Sequence, residues 1–137
     1  MNKIKFLAIG ILIICFSCDI QDKGTVYTTS ATIYLINETS VVVKSDDILG
    51  YIIQPGETLI HTESLLTSEY SEKPSIDNYQ PFPSGSRKFI YGDDSQCELG
   101  FHRIENYEDR KEVSELEFEF TFRFTEEKRE NSESCNL

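Results

Sequence analysis

Leu116-Glu117-Phe118-Glu119-Phe120-Thr121-Phe122-Arg123-Phe124-Thr125 decides the fold class. Apolar and polar residues alternate through all ten positions. A strand sends successive side chains to opposite faces, so this pattern predicts one wholly apolar face and one polar face. On a helix the same phenylalanines would scatter around the axis. Fully burying each Phe contributes about 1.5–3 kcal/mol. Few other residues have the bulk to fill a core, so the segment is expected as a central, half-buried strand. An exposed aromatic stripe for stacking on sugars or bases is the competing reading.

Working outward, the other segments are short and separated by turn residues. Val26 to Thr39 is rich in β-branched and aromatic residues and predicts a strand. Asn37-Glu38-Thr39-Ser40 predicts a turn, and Val41-Val42-Val43 a return strand, so the pair is expected as a hairpin. Asn37-Glu38-Thr39 also matches a glycosylation sequon, but the turn accounts for it. Lys44-Ser45-Asp46-Asp47 reads as a second turn. Leu49–Ile53 and Thr58–Thr62 are expected to pair across Gln54-Pro55-Gly56-Glu57, where Pro presets one dihedral and Gly accepts positive φ.

Glu63 to Arg87 holds Pro74, Pro81 and Pro83 and predicts a long surface loop. Its rings Tyr70, Tyr79 and Phe82 are candidates for an aromatic binding surface. The alternative is that they pack the loop back onto the sheet. Lys88–Tyr91 and Gln96–Arg103 are expected as a hairpin with Cys97, Leu99 and Phe101 on one face. Asn106–Lys111 reads as a charged turn. Seven or eight short strands at this spacing predict an all-β, antiparallel two-layer β-sandwich. An immunoglobulin-like arrangement is one form of it, and a small closed barrel is the second choice.

The first eighteen residues are of another kind. Lys3 and Lys5 precede an apolar run from Phe6 to Phe16. As a helix it reaches about 16 Å, against a bilayer core of about 30 Å. Such a run fits a secretory leader. Its end, Cys15-Phe16-Ser17-Cys18, resembles the lipobox of bacterial lipoproteins, in which a small residue precedes a cysteine that is lipidated. Ser17 and Cys18 match that pattern. Cys15 stands where the family prefers Leu, and Phe16 where it often has Ala or Ser. The resemblance implies a diacylglyceryl thioether on Cys18, cleavage just before it, and usually an acylated amino group. The sulfur is the nucleophile once ionised. Ordinary secretory cleavage near Ser17, with Cys18 a free thiol, is the rival. Residues 1–17 are then leader, 18–25 the lipidated cysteine and a flexible tether, and 26–137 a single β domain. Asp19 and Asp22 in the tether resemble the surface-export signals of some Bacteroidetes lipoproteins; a solvated spacer reads equally well. Together with Pro55-Gly56-Glu57-Thr58 and Phe124-Thr125-Glu126-Glu127, the chain resembles small Bacteroidetes lipoproteins that pair a lipobox with a compact β domain. The implied location is the bacterial cell envelope, at the outer membrane, facing the periplasm or the surface.

Cleavage before Cys18 leaves 120 of the 137 residues, enough for one domain with a core. It removes two of the 13 basic residues and none of the 24 acidic ones, so the net charge goes from −11 to −13. Such a chain repels phosphate backbones and anionic headgroups, which argues against a nucleic-acid partner. Nine Phe and seven Tyr argue against disorder. Cys97 and Cys135 remain as an even pair in an oxidising compartment. A disulfide between them closes a loop of 38 residues and contributes about 3–4 kcal/mol through chain entropy. Two separate thiols is the other reading.

No constellation for chemistry stands out. His61 and His102 lie in expected strands without metal-ligand spacing. There is no nucleophile elbow, and Asp46-Asp47 and Asp93-Asp94 lack the alternation of a calcium loop. No catalytic residue, metal ligand or cofactor is assigned. The expectation is a lipid-anchored envelope protein with a non-catalytic binding or structural domain. Its partners would be the membrane through the lipid, and an envelope protein or glycan. Two alternatives stay open: a glycan-processing accessory or hydrolase using acidic residues, and an inhibitor or immunity-type protein with an acidic face.

Overall fold

The computed structural model describes residues 25–46, 50–67, 72–83, 88–92 and 96–135. The chain is an all-β sandwich, with nine strands and one short α-helix among the described residues. One sheet is built from long strands: β4 (Thr58–Leu66), β1 (Thr28–Asn37), β8 (Glu117–Phe124) and β7 (Asp109–Ser114), in that order. The facing sheet has strands of two or three residues: β3 (Ile52–Ile53), β2 (Val43–Ser45), β5 (Phe89–Tyr91), β6 (Gln96–Glu98) and β9 (Glu133–Ser134). All pairings are antiparallel except β1 with β8, which run parallel. The first strand therefore sits inside its sheet and does not pair with the second, unlike the immunoglobulin arrangement.

The Phe-rich segment is an interior strand, as its alternation predicts. Phe118, Phe120, Phe122 and Phe124 are buried, and opposite them in register lie Ala31, Ile33, Leu35 and Asn37 of β1. Phe89 and Tyr91 of β5, Val43 and Ile53 close the core from the other sheet. Leu116 departs from the pattern. It takes φ +63° in the two-residue turn between β7 and β8, so the apolar face begins at Phe118. Asp109–Ser114, expected in part as a charged turn, is the edge strand β7, exposed along its whole length.

Of the three expected pairings, Lys88–Tyr91 with the strand from Gln96 forms, as β5 antiparallel to β6, and the other two are not hairpins. Asn37 to Val41 carries the chain from β1 in one sheet to β2 in the other, and Pro55-Gly56 carries it back from β3 to β4. Asn37 holds the first crossing. Its buried amide donates to the carbonyls of Val41 (2.8 Å) and Ile53 (2.9 Å) and accepts from the Thr39 amide (3.0 Å) and hydroxyl (2.7 Å). All the bonding capacity of an uncharged amide at that site is in use, and the buried nitrogen is closed to a glycan. The second crossing locks onto the first: the Gly56 amide, at φ +79°, donates to the Asn37 carbonyl (2.7 Å), and the Asn37 amide donates to Glu57 (2.9 Å).

The expected strand Gln96–Arg103 ends at Glu98. Leu99 is exposed, and Phe101 and His102 lie in a 3-10 turn, Gly100–His102, followed by a second, Ile104–Asn106. Past β8, Thr125 caps helix α1 (Glu126–Glu130), its hydroxyl accepting from the Lys128 amide (3.2 Å). The chain then returns to add β9 beside β6, where Cys97 and Cys135 are bonded with Cα atoms 5.1 Å apart.

Candidate functional site

A linked set of part-buried ionisable side chains lies on the inner face of β4. Residues two apart on a strand share a face, so His61 and Glu63 point inward together. The Tyr51 hydroxyl is 2.9 Å from His61 Nδ1, and His61 Nε2 is 3.3 Å from Glu63 Oε2. A neutral imidazole protonated at Nε2 satisfies both contacts, donating to Glu63 and accepting from Tyr51. Glu63 also accepts from the Tyr79 hydroxyl (2.7 Å) and the Phe82 amide (3.2 Å to Oε2). The Phe82 ring stacks on the His61 ring at 4.6 Å.

The cluster joins the loop to the sheet. Tyr79 is 4% exposed and Phe82 1%, so both belong to the core and not to an outward aromatic surface. Tyr79 stacks on Phe120 at 5.1 Å, and Phe82 meets Phe101 edge-on at 5.3 Å. Tyr70 lies outside the described residues. Phe82 has φ +51°, a left-handed conformation that costs a non-glycine residue about 1–2 kcal/mol. The Glu63 carboxylate and the two flanking rings hold it there. Burial first, and the Glu63 carboxylate second, push the Tyr79 phenol well above its ordinary value.

A tyrosine–histidine–carboxylate chain resembles a proton relay. A relay needs an open position about 3 Å from its reactive atom. Here the carboxylate is spent on a buried phenol and a backbone amide, and the imidazole face is covered by Phe82. Neither of the clefts described next is lined by Tyr51, His61 or Glu63.

One cleft, of about 590 Å³, lies beside the disulfide, lined among others by Glu98, Gly100, Arg103, Asn106 and Lys128. Three of its polar groups, Glu98, Asn106 and Lys128, are engaged within the fold. Glu98 accepts from the Tyr91 hydroxyl (3.1 Å) and the Gly100 amide (2.6 Å), and Asn106 donates to the Gly100 carbonyl (2.8 Å). A Cβ at position 100 would stand 2.7 Å from Glu98 Oε1 and 2.8 Å from Asn106 Nδ2, so a larger residue there would displace the ends of those two side chains. Lys128 Nζ donates to Glu108 (2.6 Å) and the Arg123 carbonyl (2.9 Å) and sits 4.0 Å over the Phe122 ring. A second cleft, of about 390 Å³, lies between the end of β4 and the loop, against Leu65, Thr67, Pro74, Tyr79 and Pro83.

The remaining expected positions divide simply. Cys97 and Cys135 meet in the disulfide. His102 packs on Phe101 at 4.0 Å. Asp46 Oδ1 accepts from the Lys88 amide at 2.9 Å and so ties the end of β2 to the start of β5. Cys18, Asp47, Asp93 and Asp94 lie outside the described residues. Among the described residues, no group of three His, Cys, Asp or Glu could hold a metal ion, and no helix is long and apolar enough to cross a membrane. Sequence reasoning overlooked Tyr51, Glu63 and Glu98. The alternation around His61 could have placed Glu63 inward, but nothing local marks the groups that come to meet it. No protein-family model, curated protein or solved structure matches the chain.

Proposed function

We propose that the chain is a lipid-anchored cell-envelope protein whose β domain binds or braces a partner and carries out no chemistry of its own. The anchor is Cys18, behind the short apolar leader. Nine residues lie between Cys18 and the start of β1 at Thr28, a reach of at most about 35 Å. Two or three acyl chains on one sulfur-bearing residue suffice for stable attachment. A net charge of −13 after cleavage keeps the domain off an anionic leaflet.

The observation that supports a non-catalytic domain is the use made of Glu63. The carboxylate best placed to drive a histidine instead fastens Tyr79 and the Phe82 amide to β4. A general base must reach the proton it abstracts, and the Glu63 carboxylate is covered by the groups it fastens.

The test is mass spectrometry of the membrane-extracted chain together with fractionation of Cys18→Ala. The expected result is an N-terminal Cys18 carrying acyl mass, a molecule two hydrogens short from the Cys97–Cys135 bridge, and loss of Cys18→Ala from the particulate fraction. A Cys18→Ala chain that is still processed and stays with the membrane overturns the anchor.

A further inference from the structure

The sandwich has four sheet edges, and three are blunted. β7 presents Asp109, Arg110, Lys111 and Glu112, all exposed. β3 and β9 are two residues long. Charge and shortness are the usual protections against strand addition. The fourth edge, β4, is not short, and its one charge, Glu63, lies on the inner face and is bound to Tyr79 and the Phe82 amide. It is nine residues long and, at the end of its sheet, pairs only with β1.

The register shows which backbone groups β4 leaves over. The Asn37 amide donates to the Glu57 carbonyl, and the Thr67 amide to the Tyr27 carbonyl. The Glu57 carbonyl and the odd-numbered residues from 59 to 67 therefore turn their backbone groups toward β1. Thr58, Ile60, Thr62, Ser64 and Leu66 turn theirs away, and among the described residues nothing takes them up. The same five side chains are exposed, Ile60 at 60% and Leu66 at 75%. None of the five is charged, in a chain whose net charge is −11.

We propose that β4 is the seam of a two-fold homodimer, in which β4 of one copy pairs antiparallel with β4 of another about Thr62. This deepens the binding reading above by naming a partner. In that register Thr62 meets Thr62, Ile60 meets Ser64 and Thr58 meets Leu66 on the outer face. On the inner face Leu59 meets Leu65 and His61 meets Glu63. Every outward amide gains a carbonyl, no like charges meet, and the one charged residue of the strand falls opposite the histidine. Moving the register by one pleat in one direction sets Glu63 against Glu63, and in the other sets His61 against His61. The two long sheets become one continuous eight-stranded sheet.

Thr62→Cys of the full chain, extracted in detergent, tests this. Residues facing across a hydrogen-bonded antiparallel pair lie about 5.5 Å apart, within disulfide range. Mild oxidation should link Thr62→Cys into a covalent dimer and leave the unmodified chain monomeric on denaturing gels. Ser64→Cys should not link, because its two copies lie about 14 Å apart along the seam. Light scattering over a micromolar to submillimolar series should show a mass that doubles. Thr62→Lys and Thr62→Pro should each weaken that association at least about tenfold. Proline there removes no bond to β1, and the lysine variant retains the amide should proline disturb the fold. Added salt should leave the dimer unchanged or strengthen it, since the remaining charges of two acidic copies repel. A chain that stays monomeric throughout, or a Thr62→Lys chain that dimerises as before, overturns the seam. Association that weakens steeply with salt also overturns it, because copies held by charge pairs are not held by the uncharged face of β4. Membrane fractionation of the same samples reports the anchor separately, so failure of the seam and failure of the anchor are distinguishable.

Discussion

The two sheets of this sandwich hold together by different means. The long sheet, β4-β1-β8-β7, rests on extended ladders and a layer of Phe118, Phe120, Phe122 and Phe124 against the apolar face of β1. The short sheet, β3-β2-β5-β6-β9, has no strand longer than three residues. Specific ties supply what its ladders lack: the Asn37 amide spanning Val41 and Ile53, the Glu98 carboxylate joining Tyr91 to Gly100, and the Cys97–Cys135 bond pinning β9. One sheet is stabilised by repeated burial of area, the other by single contacts placed one at a time. Loss from the first should be global, and loss from the second should begin locally.

Phe120→Ala is the largest test of that contrast. The ring is wholly buried and touches Tyr79, Tyr107 and Phe118. Truncation should cost about 3–5 kcal/mol through lost transfer energy and the cavity left behind. Urea unfolding should show a lower midpoint with an unchanged slope, because the loss reaches every element together. A cost near 1 kcal/mol, or loss of protection confined to β8, breaks the claim that the long sheet carries the stability.

The same contrast decides what could be read from the sequence. Burial at period two is written into consecutive residues, so β8 and β1 were legible, and with them the sandwich. Single ties are not written that way. Asn37-Glu38-Thr39 and Pro55-Gly56 carry correct turn chemistry, yet turn chemistry fixes only that the chain reverses. Whether the return strand pairs beside its predecessor or crosses to the facing sheet depends on partners far along the chain: β1 pairs with residues near 60 and near 120. β7 was hidden for the opposite reason. An edge strand exposed along its length has no buried face, and Asp109-Arg110-Lys111-Glu112 looks like a solvated turn. At the candidate site, His61 was visible as a titratable residue, but Glu63 acquires its role only when Tyr79 and Phe82 return from sixteen and nineteen residues away.

Removing the disulfide sharpens the comparison on the weaker side. The double variant Cys97→Ala, Cys135→Ala opens a loop of 38 residues. Chain entropy assigns that closure about 3–4 kcal/mol, most of it through the unfolded state. The effect on the native state should be uneven. Amides of β6 and β9 should exchange with solvent faster, while those of β1 and β8 fall only with the global stability. Equal loss of protection in both sheets would mean that the short sheet is not separately held. α1 stays in place in this variant, because Lys128 fastens it to the Arg123 carbonyl of β8 independently.

The smallest expected effect concerns that helix and the crossing it touches. Glu126, at the start of α1, accepts from the Ser40 amide and hydroxyl, each at 2.7 Å, and so ties the end of the long sheet to the loop entering the short one. The Ser40 amide first, then its hydroxyl and the Arg129 guanidinium, hold the Glu126 carboxyl below its ordinary value of 4.5. A carboxyl depressed in the folded state binds its proton more readily in the unfolded chain. Its contribution is therefore complete above the unfolded value and is lost as pH falls through the folded one. Glu126→Gln keeps an acceptor oxygen but has no charge to lose. Against the unmodified chain it should be slightly less stable at pH 7, and the gap should close below pH 4.5 and vanish once Glu126 is protonated in both states. Urea midpoints for both chains from neutral to acid pH measure this. Because the carboxylate is exposed, the gap should also shrink in high salt at neutral pH. A gap that persists unchanged at low pH assigns the tie to packing of α1, and leaves the disulfide and Asn37 as the links that hold the short sheet.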